Sequence, residues 1–118
     1  RLAEQYLIRA EARAHLDNLD GAKADMYEIR KRAGLEELPR TLGKDDILLA
    51  IEKERQIELM AEWGHRWLDL KRTGRTTAAF STIPLKQPWA GDYQLLYPIP
   101  AIEIEANINL IQNPGYIQ

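Results

Sequence analysis

Between residues 2 and 16 the apolar positions Leu2, Tyr6, Ala10 and Ala14 recur every four residues, with Ala3, Leu7 and Leu16 widening the same side. This spacing predicts an amphipathic helix. Asn18-Leu19-Asp20-Gly21 follows as a turn, with Asp20 the expected N-cap of a second helix. That helix carries Ala22, Met26, Ile29 and Ala33 on one face, and Gly34 stands where a left-handed C-terminal cap belongs. Two short helices with a tight link make an αα-hairpin of tetratricopeptide-like length, with the small residues Ala10 and Ala22 near its crossing. A single unit of that kind cannot bury its own face and needs neighbours.

Residues 35–42 read as a loop around Pro39. A third helix is predicted from near Gly43, with Asp45 and Asp46 against the positive end of its dipole, running through Ile47, Ile51, Arg55 and Leu59 to about Trp63. Gly64 interrupts it, and a further turn or two passes through Arg66, Trp67, Leu68 and Leu70 before Thr73-Gly74. Trp63 and Trp67, four residues apart, are expected to share a core face.

From Arg75 onward the character changes: Pro84, Pro88, Pro98, Pro100 and Pro114, with Gly91 and Gly115, break any long element. Leu95-Leu96-Tyr97 could form a short extended strand, Pro100 could open a short helix through Ile102 and Ile104, and Asn113-Pro114-Gly115-Tyr116 fits a turn. The fold class that follows is mainly α: a tetratricopeptide-like hairpin plus further helices, a loop-rich C-terminal tail and little β. The whole of 1–118 is expected to form one domain, with a helical part over 1–74 and a loop-rich closing part over 75–118.

Composition narrows the function classes. The chain has 118 residues, 45% hydrophobic and 29% charged, with a formal net charge of -2, which is a globular balance without a basic footprint for nucleic acid. Arg30, Lys31 and Arg32 lie among acidic neighbours and read as a solvated helix end. With no cysteine there can be no disulfide, thiolate metal site or cysteine nucleophile in these residues. No apolar run approaches the ~20 residues that cross a bilayer. Arg1-Leu2-Ala3-Glu4 enters helical periodicity at once, without an initiating Met or a capping residue, so the sequence is expected to be part of something longer.

The densest polar cluster is Glu54, Arg55 and Glu58, followed by Glu62, His65, Arg66, Asp69 and Arg72. Glu62-x-x-His65 has the spacing that offers a carboxylate and an imidazole to a metal from one helical face, but bundles that bind metal this way need the pair twice. Glu58 and Glu62 could be set apart like a glycosidase pair. The simpler expectation is structural: Glu58 and Glu62 pair with Arg66 or Arg72 along or across the helix bend. For ligand contact, Trp89, Tyr93 and Tyr97 stand out in the loop-rich half, where aromatic faces could stack on sugar rings. Against that, they could simply anchor the loop.

Several blocks together resemble the SusD/RagB family. Arg1-Leu2-Ala3-Glu4 through Arg9-Ala10-Glu11-Ala12, and Ile29 to Leu35, look like its helical-hairpin signature. Glu54-Arg55-Gln56-Ile57-Glu58-Leu59 with Gly64 to Arg72 is similar to its next block, and Leu96-Tyr97-Pro98-Ile99-Pro100, Glu103-Ile104 and Gln112 to Tyr116 to its closing segment. The blocks span nearly the whole chain in order. The resemblance implies the C-terminal part of a surface lipoprotein on the outer membrane of Gram-negative bacteria. Such a protein presents oligosaccharides, sometimes peptides, to a TonB-dependent SusC-like transporter, is not an enzyme and needs no cofactor. It implies that Glu54, Arg55, Glu58, Arg66, Asp69 and Arg72 tie helices together, that the lipid anchor lies upstream, and that this segment is mainly scaffold. The alternative from another class is a tetratricopeptide-like module that grips a protein partner.

Overall fold

The computed structural model describes residues 1–116, and its regular elements are all helices, with no strand among those residues. It divides into two units, Arg1–Asp69 and the residues from Leu70 onward.

In the first unit, α1 (Leu2–His15) and α2 (Leu19–Arg32) form the expected hairpin, and α3 (Lys44–Glu58) packs on both. The link between α1 and α2 is short because one segment serves both ends. Asp17, at φ 61°, closes α1: the Asp17 and Asn18 N–H groups reach back to the carbonyls of Ala14 and Arg13 at 3.1 and 2.9 Å. This is a Schellman arrangement. Asn18 then caps α2, its Oδ1 accepting from the Gly21 N–H at 3.0 Å. The cap is therefore Asn18 rather than Asp20, whose side chain pairs with Lys23 at 2.9 Å instead. At the far end of α2, Gly34 has φ 72°, with the Gly34 and Leu35 N–H groups bonded to the carbonyls of Lys31 and Arg30. A side chain at this φ would cost about 1–2 kcal/mol, which is why glycine closes the helix.

Burial of the facing stripes holds the three helices together. Ala10 and Ala14 of α1, Ala22 and Met26 of α2, and Ile47 and Ile51 of α3 form one core cluster, with Leu38 and Leu42 of the loop packed against it. Ala3, Leu7 and Ile29 form a second, flanked by Tyr6. The α1 stripe therefore runs Ala3, Leu7, Ala10, Ala14, while Leu2 and Leu16, expected on the apolar side, are exposed. A strict four-residue row advances about 400° per step and drifts around the helix by about 40° each time, so Leu2, three steps before the buried Ala14, has left the buried face, while Leu16 lies beyond the last residue of α1.

The third helix ends at Glu58, about five residues before the expected end at Trp63. Leu59 to Gly64 is instead a tight turn in which Ala61, Trp63 and Gly64 all take left-handed conformations, at φ 60°, 43° and 72°. The turn carries Trp63 outward, 90% exposed, so it is not a core residue. Trp67, on α4 (His65–Arg72), is half-buried. Four-residue spacing places two side chains on one face only if the helix between them is continuous, and here it is not. A bulky residue at positive φ is strained, so Trp63→Gly should raise the stability of the chain by about 1 kcal/mol. Trp63→Ala should stay within about 0.5 kcal/mol of wild type. Urea titration of the helical signal checks both, and a large loss from either would show that the ring is packed.

In the second unit, α5 (Thr76–Phe80) and α6 (Ala101–Ala106) flank two short 3-10 turns, Pro84–Lys86 and Asp92–Leu95. Pro100 precedes α6 as expected. Leu95-Leu96-Tyr97 is not a strand: Leu95 ends a 3-10 turn, and only Leu96 onward is extended. Side chains take the ladder groups there. The Leu96 carbonyl accepts from the Tyr116 hydroxyl at 2.7 Å, and the Tyr97 carbonyl from Asn113 Nδ2 at 2.7 Å. The predicted turn closes with the Tyr116 N–H 3.4 Å from the Asn113 carbonyl. Gly115 sits under the Tyr93 ring at φ 88°, where a β-carbon would collide with it.

Candidate functional site

The polar block of α3 and α4 is a set of interhelical ion pairs. On α3, Glu54 meets Arg30 of α2 at 3.2 Å, Glu58 meets Arg32 of α2 at 2.6 Å, and Glu52 meets Arg66 of α4 at 3.0 Å. Arg55 Nε donates to Asp69 Oδ2 at 2.7 Å, with both side chains over nine-tenths buried. Arg1 joins the same end of the unit, donating to the Glu58 carbonyl at 2.7 Å and pairing with Glu62 at 2.8 Å. The partners thus differ from those expected. Glu58 and Glu62 face Arg32 and Arg1, not Arg66 or Arg72, because the turn after Glu58 takes Glu62 off the helix axis. Arg72 closes α4 with an exposed side chain.

One ion-pair group went unforeseen. Asp25 of α2 is buried, and both its oxygens are used: Arg9 forms a two-pronged contact at 2.6 and 2.9 Å, and Arg13 adds a third bond at 2.7 Å. The Asp25 hydrogen bond raises the pKa of Arg9 further, and the Arg9 guanidinium also lies 5.3 Å over the Tyr6 ring. The sequence signal is the pair of arginines four apart on α1, which share a face and can converge on one carboxylate.

These carboxylates are occupied by guanidinium groups, which suits tying helices together. Glu62 lies in the turn and His65 opens α4, where its Nε2 is 3.8 Å from Glu4, so the Glu62-x-x-His65 spacing does not sit on one helix. Among the described residues no three His, Asp or Glu side chains converge as a metal site would need.

The loop aromatics fall into two groups. Trp89 meets Phe80 edge to face at 5.0 Å, and its Nε1 donates to the Thr77 hydroxyl at 2.8 Å, which in turn donates to Asp92 at 2.6 Å. Tyr93 meets Tyr116 edge to face at 5.2 Å. Both rings are half-buried and spend much of their surface on the fold. Tyr97 differs: its backbone is pinned by Asn113 while its side chain is 84% exposed. The structure does not gather the three rings onto each other as one platform.

No helix among the described residues is long and apolar enough to cross a membrane.

Comparison with known proteins gives a consistent picture. Residues 1–116 match the model of the SusD family. The chain is 34% identical to the starch-binding protein SusD of Bacteroides thetaiotaomicron over 125 aligned positions, covering 98% of this chain and 21% of that protein. A SusD-like protein of Bacteroides fragilis, solved as a crystal structure, superposes with a TM-score of 0.78 at 29% identity, covering 98% of this chain and 25% of the other. The chain thus spans about a fifth to a quarter of the length of these relatives. A match running through the hairpin, the ion-paired block and the closing segment alike identifies the chain as a member of the SusD family.

Proposed function

We propose that this chain is the scaffold-bearing segment of a cell-surface glycan-binding protein that delivers oligosaccharides to a TonB-dependent, SusC-like transporter of the outer membrane. The observation that carries the reading is the match to the SusD family over residues 1–116, with a starch-binding protein among its relatives. The geometry supports a scaffold role. Charged side chains that would otherwise be free for a ligand are engaged between helices, as Asp25, Glu54 and Asp69 are. On this reading the protein binds and hands over its sugar without chemical change, and a lipid anchor on the parent protein fixes it to the outer surface. Tyr97, exposed and backbone-pinned, is the loop ring best presented for stacking on a sugar face, with Trp89 and Tyr93 shaping the loop beside it in sequence.

The test is direct. The parent protein should be retarded in native gels containing soluble starch, xylan, mannan or mixed-linkage β-glucan, with one polysaccharide clearly preferred. The isolated 118-residue chain should show weak or no retardation in the same gels. A parent protein that runs unretarded through every gel would sink the glycan assignment, and tight saturable binding by the isolated chain would overturn the scaffold role.

A further inference from the structure

The face of α2 away from α1 carries a groove that the ion-pair network leaves open. It measures about 420 Å³ and is lined by Asp20, Lys23, Ala24, Tyr27 and Glu28 of α2 and by Glu37, Leu38 and Arg40 of the loop that follows. That volume falls within the range of small-ligand clefts.

The groove is built, not incidental to a loose loop. Two side chains of α2 bind the loop backbone: Arg30 Nε donates to the Glu36 carbonyl at 2.9 Å, and Lys23 Nζ to the Arg40 carbonyl at 3.3 Å. Leu38 packs against the core cluster between these two anchors. Together they hold Glu37 and Leu38 in the wall of the same groove as Tyr27. Lys23 is committed to this task, since it also pairs with Asp20, whose carboxyl it holds below the usual range through that hydrogen bond.

The remaining groups are what a ligand would meet. Tyr27 is half-buried and Leu38 is half-buried, giving an apolar floor. Among the described residues the Tyr27 hydroxyl, the Glu28 and Glu37 carboxylates and the Arg40 guanidinium make no hydrogen bond or ion pair. An apolar floor with unspent carboxylate acceptors and with the Tyr27 hydroxyl and Arg40 guanidinium as unspent donors matches a pyranose, which offers a C–H face and a rim of hydroxyls. Carboxylates accept strongly from hydroxyls. Three carboxylates against two cations around the groove disfavour an acidic sugar.

We propose that this groove is a subsite for a neutral pyranose, with Tyr27 as the stacking surface and Glu28, Glu37 and Arg40 as hydroxyl partners. The proposal rests on the glycan-binding reading of the parent protein and adds a sugar contact on the helical hairpin itself.

The experiment uses the full-length parent protein, Tyr27→Ala, and the double variant Glu28→Gln with Glu37→Gln. The first readout is retardation in gels of soluble starch, xylan, mannan or mixed-linkage β-glucan. The second is amide hydrogen exchange over residues 19–42 with and without maltoheptaose, xylohexaose or mannohexaose. The expected result is sugar-dependent slowing of exchange in wild type, lost in both variants, with polysaccharide affinity reduced about five- to tenfold, the size of one good contact. Both double-variant positions lie on the surface, so that protein keeps the test open if Tyr27→Ala fails to fold. A wild-type parent that is retarded while residues 19–42 exchange unchanged, or while both variants bind as wild type, overturns the groove and leaves the glycan reading standing. A parent retarded by none of the polysaccharides overturns both.

Discussion

Asp69→Ala is expected to destabilise the helical unit by about 3–5 kcal/mol, the cost of leaving a buried charge without its partner. The partner is Arg55, 5% exposed, whose Nε is 2.7 Å from the carboxylate. Arg55 Nη1 is buried and, among the described residues, has no hydrogen-bond partner even in the intact pair. Removing the carboxylate therefore strips the partner from a guanidinium that is almost wholly buried. At about 4–8 °C per kcal/mol for a unit of this size, thermal melting by circular dichroism would show the loss plainly. Exposed pairs give the contrast. Lys44→Ala removes the 2.9 Å contact to Asp17, whose side chain is 75% exposed, and should cost well under 1 kcal/mol. The decisive companion is Arg55→Met with Asp69→Leu, which removes both charges and fills their space. It should be more stable than Asp69→Ala alone, because the penalty belongs to the orphaned charge rather than to the missing contact. A double variant as unstable as the single would mean that the pair is not what holds this region.

This pair also marks where residue patterns stop being informative. Arg55 and Asp69 belong to one polar block in the sequence, but nothing in their spacing pairs them with each other. Which carboxylate meets which arginine depended on where α3 stops. Ala61 and Trp63 carry no composition signal for a left-handed turn, since neither is Gly or Asn, so the residue pattern alone runs the helix through them and sets Glu62 beside Arg66 and Arg72 rather than Arg1. The same continuous helix would put Trp63 in the core, where the turn instead leaves it exposed. By contrast, the hairpin was legible. Gly34 at the end of α2 and the row Ala22, Met26, Ile29 have a local cause, one a backbone requirement and the other a helical period. The loop-rich half showed its breaks clearly. Its order comes from side-chain-to-backbone bonds such as Gln112 to Ile99, at 2.8 and 2.9 Å, and such pairs across 13 positions have no periodic trace. The groove on α2 was illegible for a related reason: it needs Lys23 and Arg30 to fix a loop whose path no pattern announces.

Leu7→Ala is the expected largest loss from the apolar core, at about 3–5 kcal/mol. Leu7 is fully buried between Ala3 and Ile29 and stands at the centre of the smaller core cluster. The cost of such a truncation is the transfer free energy of the deleted atoms plus that of the space left behind, so it depends on whether neighbours can move in. Here they cannot readily do so. Ala3 is too short to reach, and α1 is held on both sides, by Arg9 and Arg13 two and six residues after Leu7 and by Arg1 six residues before it. Arg9 and Arg13 bind Asp25 on α2, and Arg1 binds Glu58 and Glu62 at the helix start. A helix clamped by ion pairs above and below a deleted side chain keeps its distance, and the cavity persists. Ile57→Ala supplies the control, since Ile57 is 58% exposed and should change stability by no more than about 0.5 kcal/mol. Urea midpoints for Leu7→Ala, Ile57→Ala and Leu7→Ala combined with Arg9→Ala separate the two terms. If the clamp keeps the cavity open, loosening it should let α1 settle and make the combined loss smaller than the sum of its parts. Strict additivity would place the whole cost of Leu7→Ala in transfer, with no contribution from the ion pairs that hold the helix.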